Sequence, residues 1–357
     1  MQEKKSRELC WYVMMELVRG AVLGNRLRLQ EGISIDWDLL MDVASEQGVI
    51  PWVWDSIVRL PNEQQPSRLY KLNWGLSAQE GICSYYRQKE VLKQMIDICN
   101  QNDIRLLLLK GIGLSRLYPN PTLRVCGDID IFLFDDYAKG NSLFCEGEYV
   151  FGDGDKHANF LYQGIIIENH LTLINTNTLQ QRRVEKYLES SLKDVELLDD
   201  GYYILSPLAN LIFLLMHSLS HMESQICLTI RNVVDFGMVL QKNRERINAI
   251  ECRRVLSQIK MNKQFELLLS MTEEVLGVDF AEYHEGLVPK EDVQKALKMI
   301  ADKDASIDVP FDLPLIKQIR SRSAYYNKMK WKYNYIPFSR LNSFVQVYKP
   351  IISHFIK

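Results

Sequence analysis

The chain has no CxxC pair, no large excess of either charge and no apolar run long enough to cross a membrane, and each lack removes a class of protein. Its seven cysteines, Cys10, Cys83, Cys99, Cys126, Cys145, Cys227 and Cys252, are scattered and odd in number. That pattern argues against a disulfide framework or a thiolate zinc cluster and suits a reducing compartment. A net charge of −2 supplies no global basic field, so duplex DNA is not an expected partner. The best apolar run, residues 208–216, falls far short of the ~20 residues a spanning helix needs, so no transmembrane segment is expected. The basic head at the N-terminus leads into an apolar part broken by Glu16 and Arg19, with no small-residue cleavage site, and reads as an amphipathic helix rather than a secretory leader. A cytoplasmic location is expected.

What remains is 357 residues at 47% hydrophobic and 25% charged content, enough for two or three modules. Residues 1–100 carry helical periodicity at 9–23, at 36–47 with Asp36 as a cap, and at 69–99, with Pro51, Pro61 and Pro66 between them. The patch Val49-Ile-Pro-Trp-Val-Trp54 reads as core. Residues 101–204 form an expected α/β core: a strand at 104–109, a short helix at 112–118 and a strand at 123–133. An exposed loop follows at Asp135, Asp136, Gly140 and Asn141, with further turns at Gly147, Gly152 and Gly154. Two strands at 157–162 and 165–173 are then joined by Gln163-Gly164 in a hairpin. Residues 205–310 return to helices, the first opened by Ser206 as cap and Pro207 at its first position, with Gly277 as a stop. In the tail, 311–357, Arg320, Arg322, Lys328, Lys330, Lys332, Arg340 and Lys349 interleave with Tyr325, Tyr326, Trp331, Tyr333, Tyr335, Phe338 and Tyr348. That composition suits a single-stranded nucleic acid or a membrane surface, but a helix packing its aromatics inward and leaving its lysines in water is favoured. The fold class is therefore α+β, a small mixed sheet flanked by N-terminal and C-terminal helical regions.

Chemistry concentrates in residues 106–133, LLLLKGIGLSRLYPNPTLRVCGDIDIFL. Asp128 and Asp130 lie two apart on a strand, on one face and roughly 7 Å from each other along the backbone. Ile129, Ile131 and Leu133 take the other face, so one side is core and the other a cation seat. On a later strand Ile166, Glu168 and His170 share a face, and Glu168 is the third acidic group a metal–phosphate site needs. In-line attack at a phosphorus crowded by oxygens calls for cations that neutralise charge, and Mg²⁺ prefers such carboxylates. Asp128 and Asp130 would hold the ions, and Glu168 would complete the site and orient or deprotonate the attacking hydroxyl. Lys110, at the mouth of a turn formed by Gly111 and Gly113, would neutralise phosphate, and the helix start behind it offers amides to an anion. Arg124, just before the Asp pair, would either contact a triphosphate or stay solvated at a strand end. Ser115, one turn into the short helix, belongs to the same nucleotide-binding group, with packing or local capping as its other role.

LLLLKG, a short helix, Tyr-Pro-x-Pro, an arginine and GDIDIFL together resemble the poorly characterised bacterial nucleotidyltransferase family of the DNA polymerase β-like superfamily. Superfamily members usually carry Gly-Gly or Gly-Ser where this chain has Lys110-Gly111-Ile112, a variant the resembled subfamily shares. Residues 228–240, LTIRNVVDFGMVL, are similar to its Arg-x-x-x-Asp helix, and the likeness runs over residues 35–300. It implies Mg²⁺-dependent transfer of a nucleoside monophosphate from an NTP such as ATP to an acceptor hydroxyl, with pyrophosphate leaving. The acceptor would be a small molecule, a sugar, a protein side chain or an RNA end. Two Mg²⁺ ions are implied, with Mn²⁺ as a substitute, and Arg231 would contact the nucleotide. The plain alternative for Arg231 is an ion pair with Asp235 four residues on. His217 and His221 share a helix face at a zinc-compatible spacing, without the HExxH glutamate, and hydrogen-bonded histidines lining a cleft are the favoured reading.

Two other functions stay open at this stage. Asp-Ile-Asp also fits the Mn²⁺ motif of a glycosyltransferase using a sugar nucleotide, although the helical first hundred residues oppose that. A non-catalytic nucleotide-binding or regulatory module would keep the same fold.

Overall fold

Helix-forming periodicity accounts for the start of the chain. The computed structural model describes residues 2–144, 157–223, 228–302 and 315–336. Four helices come first: α1 (Gln2–Leu23), α2 (Trp37–Glu46), α3 (Ile50–Arg59) and α4 (Arg68–Gln101). Asp36 caps α2 by accepting from the Leu39 amide at 3.0 Å. The VIPWVW patch becomes most of the first turns of α3, because Pro51 sits where its missing N–H costs nothing. Trp52 and Val53 are buried there, and Ser56 ties α3 to α1 by donating to the Leu17 carbonyl at 2.6 Å.

The sheet follows, built from β1 (Leu107–Leu108), β2 (Asp128–Phe132), β3 (His157–Tyr162), β4 (Ile165–His170), β5 (Glu196–Leu197) and β6 (Tyr203–Ile204), in the order β3-β4-β2-β1-β6-β5. It is mixed: β2 runs parallel to β4 and β1 to β6, and the remaining pairs are antiparallel. Between the strands lie α5 (Ile112–Ser115), α6 (Tyr137–Phe144) and α7 (Leu179–Ser191). The expected hairpin forms, with Gln163 and Gly164 both at positive φ (48° and 73°), the two-residue turn that matches strand twist.

Several expected elements are shorter or different. Only Leu107 and Leu108 enter the first ladder, although residues 104–109 are buried apart from Arg105. The strand read at 123–133 begins at Asp128, because Pro121–Leu123 is a 3₁₀ turn capped by Asn120. The helix read at 112–118 stops at Ser115. The segment expected to be an exposed loop after Asp135 is a 3₁₀ turn, Phe134–Asp136, running into α6. Gly140 and Asn141 are buried there, because a Cβ on Gly140 would come within 2.0 Å of Leu133 and because Asn141 accepts from Asn169 at 2.7 Å. The turns read at Gly147, Gly152 and Gly154 lie outside the described residues.

Among the described residues six more helices follow: α8 (Pro207–Glu223), α9 (Ile230–Lys242), α10 (Ala249–Ile259), α11 (Asn262–Leu276), α12 (Lys290–Ala301) and α13 (Leu315–Met329). One apolar core joins α1, α2 and α3 to α8 through α12, and a second lies between the sheet and the C-terminal half of α4. Ile129 and Ile131 are fully buried in the second core, each contributing about 1.5–3 kcal/mol. No helix among the described residues is long and apolar enough to cross a membrane. In the tail, Trp331 and Tyr335 pack inward as expected, and the Tyr335 hydroxyl donates to Asp292 at 2.9 Å. The expectation that the tail's basic side chains stay in water fails at Arg322 and Lys332, which are buried and partnered. The side chains of Tyr325, Tyr326, Lys328 and Tyr333, and the positions of Phe338, Arg340, Tyr348 and Lys349, lie outside the described residues.

Candidate active site

Strand pairing brings the acidic residues together. In the parallel β2–β4 ladder Asp130 stands directly opposite Glu168 and Asp128 opposite Ile166, so the two aspartates and Glu168 share one face. One carboxylate oxygen from each of Asp128, Asp130 and Glu168 lies within 4.8 Å of the other two. Asp130 is 0% exposed, while Asp128 and Glu168 stay half-open.

Lys110, immediately after β1, points into this group. Its Nζ lies 2.8 Å from Asp130 Oδ1, 3.6 Å from Asp128 Oδ2 and 3.9 Å from Glu168 Oε2. Burial alone would lower the lysine pKa, and the three carboxylates override it and raise it. Glu168 is pushed up by burial, but a hydrogen bond from His170 and the Lys110 charge bring it down to about 2. Asp128 moves the other way, raised by burial and by the Asp130 charge.

A divalent cation fits these residues. Three carboxylates against one ammonium leave the cluster negative, and the donors are the hard oxygens Mg²⁺ prefers. Asp130 Oδ2 is buried with no hydrogen-bond partner among the described residues, a costly state that a cation relieves. It faces Gly111, whose φ of +61° and missing Cβ keep that approach open; a Cβ there would sit 3.3 Å from the Asp128 carbonyl and 3.9 Å from Asp130 Oδ2.

A cavity of about 180 Å³ opens in front of Asp128, with Lys110 and Gly111 on one side and His217, His221 and Arg231 from α8 and α9 on the other. Arg231 donates from Nη1 to the Val125 carbonyl at 3.2 Å, and its Nε is buried with no partner among the described residues. Burial and the neighbouring Arg124 charge pull its pKa down, the signature of a cation short of negative partners.

The alternative reading of Arg231, an ion pair with Asp235, gives way to a longer-range pair. Asp235 takes both Arg124, from Nε at 3.0 Å and Nη2 at 2.6 Å, and the Tyr118 hydroxyl at 2.6 Å. Arg124 borders the cavity, but this buried bidentate pair occupies its guanidinium. Ser115 is buried and donates to the Ile112 carbonyl at 2.6 Å, which is local capping. The amides of Gly113 and Leu114 are likewise spent inside the turn, on the Lys110 and Gly111 carbonyls. His217 and His221 hydrogen-bond to each other, Nε2 to Nε2 at 3.0 Å, and no third His, Cys, Asp or Glu joins them in a metal-sized group among the described residues.

The family model described as uncharacterised nucleotidyltransferase matches residues 34–277. The chain belongs to this nucleotidyltransferase family. The match embraces every residue of the carboxylate cluster and the cavity opposite, and it speaks for nucleotidyl transfer over the sugar-nucleotide reading of Asp-Ile-Asp. No curated protein and no solved structure matches the chain.

Sequence reasoning gave no role to His170, which borders the site, and paired Asp235 only with Arg231. His170 donates from Nε2 to Asp130 Oδ1 at 3.2 Å and lies 3.6 Å from Glu168 Oε2. The alternation that put it on the Glu168 face was the available signal. Asp235 reaches Arg124 across 111 positions, a pairing no local pattern discloses.

Proposed function

We propose that the chain is a metal-dependent nucleotidyltransferase of the DNA polymerase β-like superfamily that transfers a nucleoside monophosphate from an NTP to an acceptor hydroxyl. The observation that carries this is the meeting of Asp128, Asp130 and Glu168 on two adjoining strands, beside Gly111 and across a cavity from Arg231. Asp128, Asp130 and Glu168 would hold Mg²⁺. When bound, the metal offsets the charge of the phosphate oxygens and lowers the cost of the departing pyrophosphate.

The remaining work falls to the chain's own side chains. Arg231 binds the phosphates by charge-assisted hydrogen bonds, and Lys110 offers a second cation from the opposite wall. Gly111 lets the substrate approach the Asp128–Asp130 edge without a Cβ in the way. Glu168, with a pKa of about 2, stays ionised at neutral pH, so it accepts a hydrogen bond from the acceptor hydroxyl and aims its oxygen at the α-phosphorus. Such a weak base positions the hydroxyl better than it stores its proton, which passes to solvent as the new P–O bond forms and the bond to pyrophosphate breaks.

Calorimetric titration of each NTP with Mg²⁺, wild type against the Asp128→Asn/Asp130→Asn double variant, tests the reading. Metal-dependent binding of at least one NTP that disappears in a folded double variant supports it. Binding that survives the double substitution, or no NTP binding at all, overturns it.

A further inference from the structure

On the same sheet face, one strand further out, a different donor set assembles. His157 and His170 stand directly opposite each other in the β3–β4 ladder, with ring centroids 5.2 Å apart. One ligand atom from each of His157, Glu168 and His170 lies within 4.8 Å of the other two. We propose that these three residues form a second cation seat, adjoining the carboxylate cluster through Glu168 and suited to a late first-row divalent ion such as Zn²⁺ or Co²⁺.

Two buried polar atoms of this sheet face lack hydrogen-bond partners among the described residues. His170 is 1% exposed; its Nε2 edge is taken by Asp130 and Glu168, and its Nδ1 has no hydrogen-bond partner among the described residues. Nε2 is the ring atom that faces Glu168, so an ion shared with that carboxylate would be held by Nε2 in place of its hydrogen to Asp130, with the ring proton on Nδ1. Asn159, opposite Glu168 in the same ladder and on the same face, has a buried Oδ1 that also lacks a partner among the described residues. It supplies an oxygen to that face beyond the three ligands.

Donor chemistry separates this seat from its neighbour. Two imidazoles and one carboxylate favour Zn²⁺, Co²⁺ and related ions, whereas Asp128, Asp130 and Glu168 offer only the hard oxygens that suit Mg²⁺. A shared Glu168 couples the two, because an ion held by the histidines draws on the carboxylate that Lys110 also approaches. The seat needs only the β3–β4 pairing and stands whether or not the protein transfers nucleotides.

Titration with Co²⁺ in a large excess of Mg²⁺, followed by calorimetry and by the visible bands of nitrogen-bound Co²⁺, tests the proposal. Wild type and Asp128→Asn are expected to take up one Co²⁺ per chain with those bands. His157→Ala, on the outermost strand, is expected to bind it at least about tenfold more weakly while keeping its melting temperature and any Mg²⁺–NTP binding. Co²⁺ uptake unchanged in His157→Ala, uptake lost only in Asp128→Asn, or no uptake in excess Mg²⁺ would each overturn it. If His157→Ala does not fold, His157→Gln, which keeps a polar side chain and removes the imidazole, gives the same comparison.

Discussion

Lys110 places its ammonium 2.8 Å from Asp130 Oδ1, inside the group of carboxylates that would hold a metal. The chain thus carries its own counterion at the seat. That charge keeps three acidic groups together before any ligand arrives, and it competes with an incoming ion. Lys110→Met is expected to bind Mn²⁺ alone about fivefold or more tightly, the size of a typical coupling between two ligands of one site. The same variant is expected to bind Mg²⁺–NTP more weakly, because the lysine no longer answers the phosphates. Calorimetry with and without nucleotide reads both effects; weaker Mn²⁺ binding in the variant would mean that Lys110 organises the carboxylates more than it competes.

Asp128 supplies a prediction of opposite sign from its neighbour Glu168. Burial and the Asp130 charge raise its pKa, so the fold disfavours the ionised form and pays that cost at any pH above the raised value. Stability from this group therefore improves as pH falls through the raised pKa. Asp128→Asn removes the cost, and in EDTA at neutral pH it is expected to melt higher than wild type, by about 2–4 °C for each kcal/mol recovered. Adding Mg²⁺ should reverse the order, stabilising wild type and leaving the variant unmoved. Glu168, held down at about 2 by His170 and Lys110, favours its charged form instead, and its contribution is present at neutral pH and lost only as pH falls toward 2.

The buried Arg124–Asp235 pair, joined by Tyr118, ties the turn after α5 to α9 and so sets the floor of the cavity. Truncating one partner strands the other charge out of water. Arg124→Ala and Asp235→Ala are each expected to cost about 3–5 kcal/mol. Tyr118→Phe removes one hydrogen bond to a charged group and should cost about 1.5–3 kcal/mol. The double variant Arg124→Met/Asp235→Leu should lose much less than the sum of the two singles, since no charge is left unpaired. Urea unfolding of wild type and the four variants gives the comparison, and additive losses would show that the pair does not act as a unit.

Period-two alternation made the site legible in the sequence: it put Asp128 and Asp130 on one face and Glu168 on one face of another strand. It left open whether the two faces coincide, because a register slip of one residue turns a whole strand over. The β2–β4 pairing of Asp130 with Glu168 decides that register, and it depends on tertiary packing of Ile129, Ile131 and Ile167 in the core beneath. Helices over the first hundred residues were readable from apolar spacing, except α3, where a proline inside an aromatic patch masked a helix start. The polarity of Asp135 and Asp136 suggested a surface loop, and the close packing of Gly140 on Leu133 that makes α6 part of the interior leaves no trace in local composition. Arg124's partner was out of reach for the same reason: its nearest candidate by spacing, the Arg231–Asp235 pair, competes with a contact formed only when the chain folds back on itself.

Among the described residues, Arg231 is a cation of the cavity with hydrogen-bonding capacity left to give. One nitrogen holds the Val125 carbonyl, while Nε has no partner among the described residues, and Asp235 is engaged by Arg124 and Tyr118. An NTP brings the anionic oxygens such a guanidinium lacks, so Arg231→Ala is expected to weaken Mg²⁺–NTP binding by roughly 10- to 100-fold, the equivalent of about 1.5–3 kcal/mol. Arg231→Lys should recover only part of this, because an ammonium keeps the charge but loses the planar fork. The loss should shrink as salt is added and as phosphates are removed, being largest for the triphosphate and near zero for the nucleoside. A loss of equal size for nucleoside and triphosphate would instead assign Arg231 to holding the Val125 backbone and the packing around Gly48, whose Cβ position lies 3.2 Å from Arg231 Nη1.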